Sequence, residues 1–298
     1  MEVKSSGSTG EAKLIQIKKK HMLVSAQKTI DFFQLKENDT CLLSLSTSTI
    51  GGKMMLVRAV LAKMSILVSK VASDALLELT QKVDFAALVP LQLDFQLKED
   101  PSKLQFIKHV IVGGAPIATS TISLLKENQM TVYQTFGMTE TISHVALKKV
   151  GFEQEEFYRG LENISFTSEN KQLIINYPEI ELYSLKTNDL VKLHGTHQFK
   201  WLGRADFVIN SGGLKFVPEE LEAKLSSFIH VPFFIHGIAD EKLGQKIVLF
   251  VEGESNCTLD DLKPFLEKYE VPKEIRILTN FIRTQGGKIN RLASAARH

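Results

Sequence analysis

Four stretches of this 298-residue chain carry residue types that could hold an anion, a metal ion or a sugar. The first is Ser5-Ser6-Gly7-Ser8-Thr9-Gly10-Glu11-Ala12-Lys13. Its glycines allow a tight turn that aims backbone N–H groups at an anion, while its hydroxyls and Lys13 add donors and charge. Gly10 is followed by Glu11 rather than by Lys-Ser/Thr, so this is neither a Walker A loop nor a dinucleotide fingerprint. On its own it reads equally well as a polar linker. The second stretch is Tyr133-Gln134-Thr135-Phe136-Gly137-Met138-Thr139-Glu140-Thr141. Phe136 offers a face to stack on a base, Thr139 a hydroxyl and Glu140 a hard oxygen ligand for Mg2+. On its own it is equally a strand-to-helix turn with a capping threonine.

The third stretch is Thr187-Asn188-Asp189, followed by Gly203-Arg204-Ala205-Asp206, Ser211-Gly212-Gly213-Leu214-Lys215 and Pro218-Glu219-Glu220-Leu221-Glu222. The Asp189 carboxylate could accept both hydroxyls of a ribose and Arg204 could add donors. By itself, Asp189 reads first as a turn residue. The fourth is Arg283-Thr284-Gln285-Gly286-Gly287-Lys288-Ile289-Asn290-Arg291, where Lys288 on a glycine loop could reach into a neighbouring site as a point charge. A solvated basic terminus is the plainer reading.

These residues need elements to position them. Leu42–Leu45, Ile66–Val68, His109–Val112 and Thr131–Val132 are short apolar runs, separated by helical spacing such as Ser73–Gln81 and Ala118–Asn128. Strands alternating with helices predict an α/β domain with a largely parallel sheet. The second stretch then falls where such sheets bind ligands, at a strand's C-terminal end. From Gly160 the pattern becomes a small antiparallel β region: Gln172–Ile175, Ile180–Tyr183, Leu190–Leu193 and Phe199–Leu202. Beyond Gly203 we expect a helix behind Pro218 with acidic residues in its first turn. Strands at Phe233–Ile238 and Lys246–Glu252 follow, then a helix over Leu259–Lys268 capped by Asn256 or Thr258. A strand at Ile275–Leu278 and a terminal helix close the chain. The boundary is placed near Gly203–Asp206, giving residues 1–203 as an N-terminal domain and 204–298 as a small, mobile α+β C-terminal domain. A phosphate-type loop that starts at the fifth residue implies either a very short preceding strand or missing upstream sequence.

Composition narrows the classes. Hydrophobic residues make up 44% and charged ones 23%, as in ordinary globular proteins. A net charge of +2 gives no electrostatic case for nucleic acid or an anionic membrane. Cys41 and Cys257 form no CxxC pair, which argues against a disulfide scaffold or a zinc site and for a reducing cytoplasm. Met54–Val68 is broken by Arg58 and Lys63, so no membrane span is expected. Oligomeric state is not legible.

The motifs occur in an order that resembles the adenylate-forming superfamily of acyl-CoA synthetases, luciferases and nonribosomal adenylation domains, from Ser5 to Arg291. Gly137-Met138-Thr139-Glu140-Thr141-Ile142-Ser143-His144-Val145-Ala146-Leu147, Gly52-Lys53-Met54-Met55-Leu56-Val57-Arg58-Ala59 and Gly113-Gly114-Ala115-Pro116-Ile117 look like the o-succinylbenzoate–CoA ligases of menaquinone biosynthesis. The resemblance implies ATP, Mg2+, coenzyme A and a small carboxylic acid as reactants and cofactors. It also implies roles. Ser5, Ser6, Gly7, Ser8, Thr9, Gly10 and Lys13 would hold the β- and γ-phosphates. Gly113, Gly114 and Ala115 would line the adenine and acyl pocket, Phe136 and Gly137 would lie at the adenine, Thr139 would meet the phosphate and Glu140 would bind Mg2+. Asp189 and Arg204 would hold the ribose, with Asp206 as the hinge. Gly212, Gly213 and Lys215 would form the loop presented for the thioester step, and Lys288 would bridge the carboxylate and the α-phosphate. Arg58, Ser143 and His144 are candidates for the acyl substrate; Arg58 as a structural charge and His144 as a packed histidine are equally open.

Three departures from the family pattern stand out. Phe136 occupies a usual tyrosine position, Ser46-Thr47-Ser48-Thr49-Ile50 lacks the common aromatic or histidine, and family members carry a longer region ahead of the phosphate loop. Other readings stay open at this point: a ligase for another aromatic or short-chain acid, or a truncated homologue that binds nucleotide without turnover.

Overall fold

The computed structural model describes residues 2–4, 14–283 and 289–297. Ser5, Ser6, Gly7, Ser8, Thr9, Gly10, Lys13 and Lys288 lie outside the described residues. Two compact units form. The first comprises Met1–Thr167, Ile175–Leu185 and Leu193–Phe199; the second comprises Ser168–Ile174, Lys186–Lys192 and Lys200–His298.

In the first unit, a parallel sheet runs in the order Ser65–Val68, Thr40–Leu43, Val83–Leu88, Ile107–Val112, Thr131–Gly137. Strand His144–Gly151 then adds antiparallel to Thr131–Gly137, and Tyr158–Gly160 adds antiparallel to that. Parallel pairing demands crossovers, which the helices Ile50–Ala62, Pro90–Glu99 and Thr119–Glu127 supply. The inner strands are buried over most of their length: Phe85, Ala86, Leu88, Val110, Val112 and Val132 pack with Leu93, Leu97 and Leu125 of the crossover helices. A hairpin pairs Glu2–Lys4 with Leu14–Gln16, so a strand of three residues precedes the first glycine-rich stretch.

Several sequence expectations change. Ser73–Gln81 does not form a helix; residues 73–78 are a chain of turns. Side chains from elsewhere take the carbonyls a helix would need: Ser69 Oγ donates to Ala75 O, Gln92 Nε2 to Ala72 O and Lys103 Nζ to Leu79 O. Tertiary partners thus override local spacing. The pieces Ile180–Tyr183 and Leu190–Leu193 merge into one strand, Leu182–His194, so the polar Thr187-Asn188-Asp189 is strand rather than turn. The expected helix Leu259–Lys268 stops at Leu262, because Pro264 lacks an N–H to continue it. Thr258 and Asp261 make a reciprocal capping box at its start.

In the second unit, strands Ile209–Ser211, Leu214–Phe216, Phe233–Asp240, Gly244–Glu252 and Glu274–Leu278 form a five-stranded sheet. Helix Pro218–Leu225 packs Leu221 and Leu225 against Ile235, Leu249 and Val251. Proline at its first position and Glu219 and Glu220 in its first turn fit the unpaired N–H groups and the positive end of its dipole. Glu222 takes a fork of hydrogen bonds from Arg291, at 2.6 and 2.8 Å, which ties the terminal helix Arg291–Ala295 to helix Pro218–Leu225.

Glu219 is less well served. Its Oε2 is buried without a hydrogen bond and Arg291 stands 3.9 Å away, already committed to Glu222. Burial pushes its carboxyl up to about 7. A carboxyl whose folded pKa exceeds its unfolded value stabilises the fold at low pH, and that contribution is lost as pH rises through the folded pKa. We therefore expect stability to fall between roughly pH 4.5 and 7 by up to about 3 kcal/mol on account of this group. Denaturant unfolding of Glu219→Gln should show a flatter profile over that range and greater stability than wild type at pH 8.

Candidate functional site

Gly113, Gly114, Ala115, Phe136, Gly137, Thr139 and Glu140 sit at or just beyond the C-terminal ends of two parallel strands, Ile107–Val112 and Thr131–Gly137. Ile111 pairs with Tyr133 and Val112 with Gln134, so the loops after both strands emerge together. Gly113 follows one strand, and its backbone N–H donates to Leu88 O at 3.1 Å. Thr135 Oγ1 of the neighbouring strand donates to Val112 O at 3.2 Å and lies against Gly113. Gly114 and Ala115 continue the loop, Gly114 exposed and Ala115 half-buried. Phe136 is half-buried, edge-on to Phe199 at 5.0 Å and to Tyr158 at 5.7 Å. Those two rings stack on each other, and Lys148 caps Tyr158 at 4.8 Å. Phe136 is therefore held by aromatic edges and needs no hydroxyl partner.

The loop from Gly137 to Ser143 is tightly built. At Gly137 a side chain has no room: a Cβ there would fall 2.4 Å from Ser143 O and 2.6 Å from His144 Cα. Thr141 Oγ1 donates to Ser143 O at 2.7 Å and accepts from Met138 N–H at 2.9 Å. Ile142 is forced to φ 70°, a left-handed conformation that a β-branched side chain rarely adopts. This frame buries Thr139 and leaves Glu140 exposed. A cavity of about 260 Å3 opens beside these two residues; Ile15, Ile17, Lys18, His21 and Glu181 form much of its wall. The Glu140 carboxylate is free to coordinate a hard cation at that mouth, as its residue type suggests.

Arg58, Ser143 and His144 come together. Arg58 lies on helix Ile50–Ala62, whose start is capped by Thr49 Oγ1 accepting from Gly52 N–H. Its guanidinium is 2% exposed and donates to Ser143 Oγ at 2.7 Å, while its Nε has no partner. Among the described residues no carboxylate lies within ion-pair distance of it. Burial lowers its pKa to about 10, so it stays charged at neutral pH. Next to it, burial and the Arg58 charge push the His144 imidazole well below its ordinary value, leaving it neutral. His144 Nε2 sits 3.1 Å from Thr29 Oγ1, and Nδ1 3.4 Å from Ser143 Oγ. Thr29, fully buried on helix Lys19–Phe33, was missed in the sequence; its only signal is a hydroxyl on an apolar helix face.

The second unit holds the remaining candidates. Asp189 is 7% exposed in strand Leu182–His194, accepts from Trp201 Nε1–H at 2.8 Å, and its backbone N–H donates to Thr187 Oγ1 at 3.1 Å. Burial raises its pKa, against the Trp201 hydrogen bond and the Arg204 charge. Arg204 forks onto Asp206 at 2.9 and 2.8 Å, so the guanidinium predicted for the ribose is paired with the predicted hinge carboxylate. Gly212 and Gly213, at φ 58° and 82°, form the two-residue turn between strands Ile209–Ser211 and Leu214–Phe216, a mirror-image turn that glycine pairs favour. Lys215 is exposed on the second of these strands. Among the described residues no helix is long and apolar enough to cross a membrane.

Three comparisons place this geometry. The AMP-binding enzyme family model matches residues 5–161. A 2-succinylbenzoate–CoA ligase of Listeria monocytogenes is 25% identical over 99% of this chain and 69% of its own length. An acyl-CoA synthetase (AMP-forming)/AMP-acid ligase II-like protein of Dyadobacter fermentans is 34% identical, covers all of this chain and 89% of its own, and superposes with a TM-score of 0.65. The Bacillus subtilis O-succinylbenzoate coenzyme A synthetase (MenE), solved with ATP and magnesium, has a TM-score of 0.84 over 99% of this chain and 69% of its own; at 22% identity it speaks to the fold.

Asp189 and Trp201 offer a direct readout, since Trp201 is the chain's single tryptophan. Asp189→Ala should leave its indole N–H without an acceptor, lower stability by about 1–3 kcal/mol and shift tryptophan emission to the red. Asp189→Asn, which keeps the Oδ1 acceptor, should restore most of both.

Proposed function

We propose, for a chain that belongs to the AMP-binding enzyme family, that it joins 2-succinylbenzoate to coenzyme A with ATP, through an acyl-adenylate, releasing AMP and pyrophosphate. The chain is an acid–thiol ligase of the adenylate-forming kind. The identity of the acid rests chiefly on Arg58. A guanidinium this buried, with no carboxylate of its own in reach, suits a substrate that brings a second carboxylate. The activity named for the Listeria relative is in accord with such a dicarboxylate.

In this reading the substrate's distal carboxylate accepts from Arg58, oriented by Ser143, while the neutral His144 adds a polar contact without adding charge. The reacting carboxylate faces the α-phosphate. Two anions must meet there, and Lys288 and Lys13 would offset the repulsion. Mg2+, when bound at Glu140, would neutralise charge developing on the departing pyrophosphate. Asp189 would accept from the ribose hydroxyls. Withdrawal of Lys288 and presentation of Gly212, Gly213 and Lys215 about Asp206 would then open the way for the coenzyme A thiolate, which attacks the acyl carbon as AMP leaves.

The test is pyrophosphate release with ATP and Mg2+ against a panel of acids, with and without coenzyme A. Release with 2-succinylbenzoate is expected; release with benzoates or fatty acids alone would overturn the choice of acid. Arg58→Met should cut kcat/KM for 2-succinylbenzoate by about a hundredfold, the cost of leaving one buried carboxylate unpaired, and affect simple benzoates far less. Lys288→Ala should slow adenylation far more than transfer from preformed acyl-adenylate to coenzyme A; comparable losses in the two half-reactions would contradict its role.

A further inference from the structure

The cavity beside Thr139 and Glu140 has a feature that the roles above leave unexplained. Lys18, Lys20 and His21 converge on one carboxylate, that of Glu181. Lys18 Nζ bonds its Oε2, Lys20 Nζ reaches Oε1 at 2.5 Å, and His21 Nε2 lies 3.7 Å from Oε1. The two lysines hold the Glu181 carboxyl down to about 2.

The cations are gathered at an unfavourable place. Helix Lys19–Phe33 begins here with Lys18 as its N-cap residue, Lys19 and Lys20 behind it and no acidic residue in its first turn. Cations at the positive end of a helix dipole are the unfavourable arrangement. His21 adds an Nε2 that is buried and has no hydrogen-bond partner, on a residue 8% exposed. Opposing these cations are Glu140, exposed at the cavity's edge, and Glu181, the one carboxylate in contact with them, delivered from the turn Pro178–Ile180 at φ 60°, a left-handed conformation uncommon outside glycine. The start of the helix, with its lysines and the unpartnered His21 Nε2, therefore builds a site for an anion, and a strained residue fills it with its own carboxylate.

The size and wall of the cavity narrow the ligand. At about 260 Å3 it falls below the roughly 300 Å3 at which drug-sized ligand pockets begin, so a whole nucleotide is too large and a small polyanion fits. Ile15 and Ile17 of its wall follow directly on the Ser5–Lys13 stretch, and Glu140 stands at its edge. A metal cation alone is disfavoured by two lysines, and among the described residues no cluster of three His, Cys, Asp or Glu side chains forms.

We propose that Lys18, Lys20 and His21 form a binding site for inorganic pyrophosphate, with Glu181 as an internal competitor that must release the two lysines before the ligand is held. The assignment rests on the ligase reading in one respect, that pyrophosphate is the product released here. Functionally, the Glu181 carboxylate would re-enter as pyrophosphate leaves, which lowers affinity for product and favours turnover.

Equilibrium titration of the full chain with inorganic pyrophosphate tests this without any acid or turnover, so it stands or falls separately from the ligase reading. Glu181→Gln should bind pyrophosphate about tenfold more tightly than wild type, and Lys18→Gln with Lys20→Gln about tenfold more weakly. Because Glu181 is half-exposed and the expected effect is a gain, misfolding cannot imitate it. In the release assay, pyrophosphate should inhibit Glu181→Gln more strongly than wild type. Equal affinity in all three proteins would overturn the proposal, and so would an equal gain for sulfate, which would mark a non-selective basic patch.

Discussion

Parallel strand pairing is the constraint on which the first unit depends. Strands that run the same way release their following loops on the same edge, and the loops after Val112 and Gly137 meet there because Ile111 and Val112 pair with Tyr133 and Gln134. The same constraint sends three of the connections back across the sheet through the helices Ile50–Ala62, Pro90–Glu99 and Thr119–Glu127. One of those crossovers, Ile50–Ala62, brings Arg58 to Ser143, 85 residues away in the chain. The antiparallel strand His144–Gly151 reverses the direction at this edge and turns the Met138–Ser143 loop into a tight bend rather than a long crossover.

The sequence made the glycine-rich motifs, the alternation of strands and helices, and their order readable, because turns and apolar runs are local. Asp189 was legible as a chemical group but not as strand, since Thr187-Asn188-Asp189 looks like a turn; only Trp201, twelve residues on, explains why an aspartate is tolerated in a buried strand. Ser73–Gln81 has helical spacing, yet its Ala75 and Leu79 carbonyls are claimed by Ser69 and Lys103, and the Ala72 carbonyl just before it by Gln92. Thr29 and Glu181 carry no motif at all. Their importance comes from partners more than a hundred residues distant, His144 in one case and Lys18 and Lys20 in the other.

Two kinds of positive charge coexist in the first unit, and they answer differently to surroundings. Arg58 is buried among apolar and neutral groups, so added salt scarcely screens it, and its charge adds to burial in holding His144 neutral. Lys18 and Lys20 face solvent, with side chains 59% and 65% exposed, where charges are screened beyond roughly 8 Å at physiological ionic strength. A buried cation selects by shape and hydrogen bonding at close range. An exposed pair attracts early and lets go readily.

Ile142 has a consequence for how this chain could be altered. A β-branched side chain at positive φ costs on the order of 1–3 kcal/mol, which the packing of a fully enclosed residue must offset. Glycine or asparagine would relax the backbone here but would empty an apolar site that is 3% exposed, a loss of about 2–5 kcal/mol that outweighs the strain relieved. The same replacement would loosen the segment that keeps Thr139, Glu140 and Ser143 in register. Thermal endurance and chemistry therefore favour the same strained isoleucine.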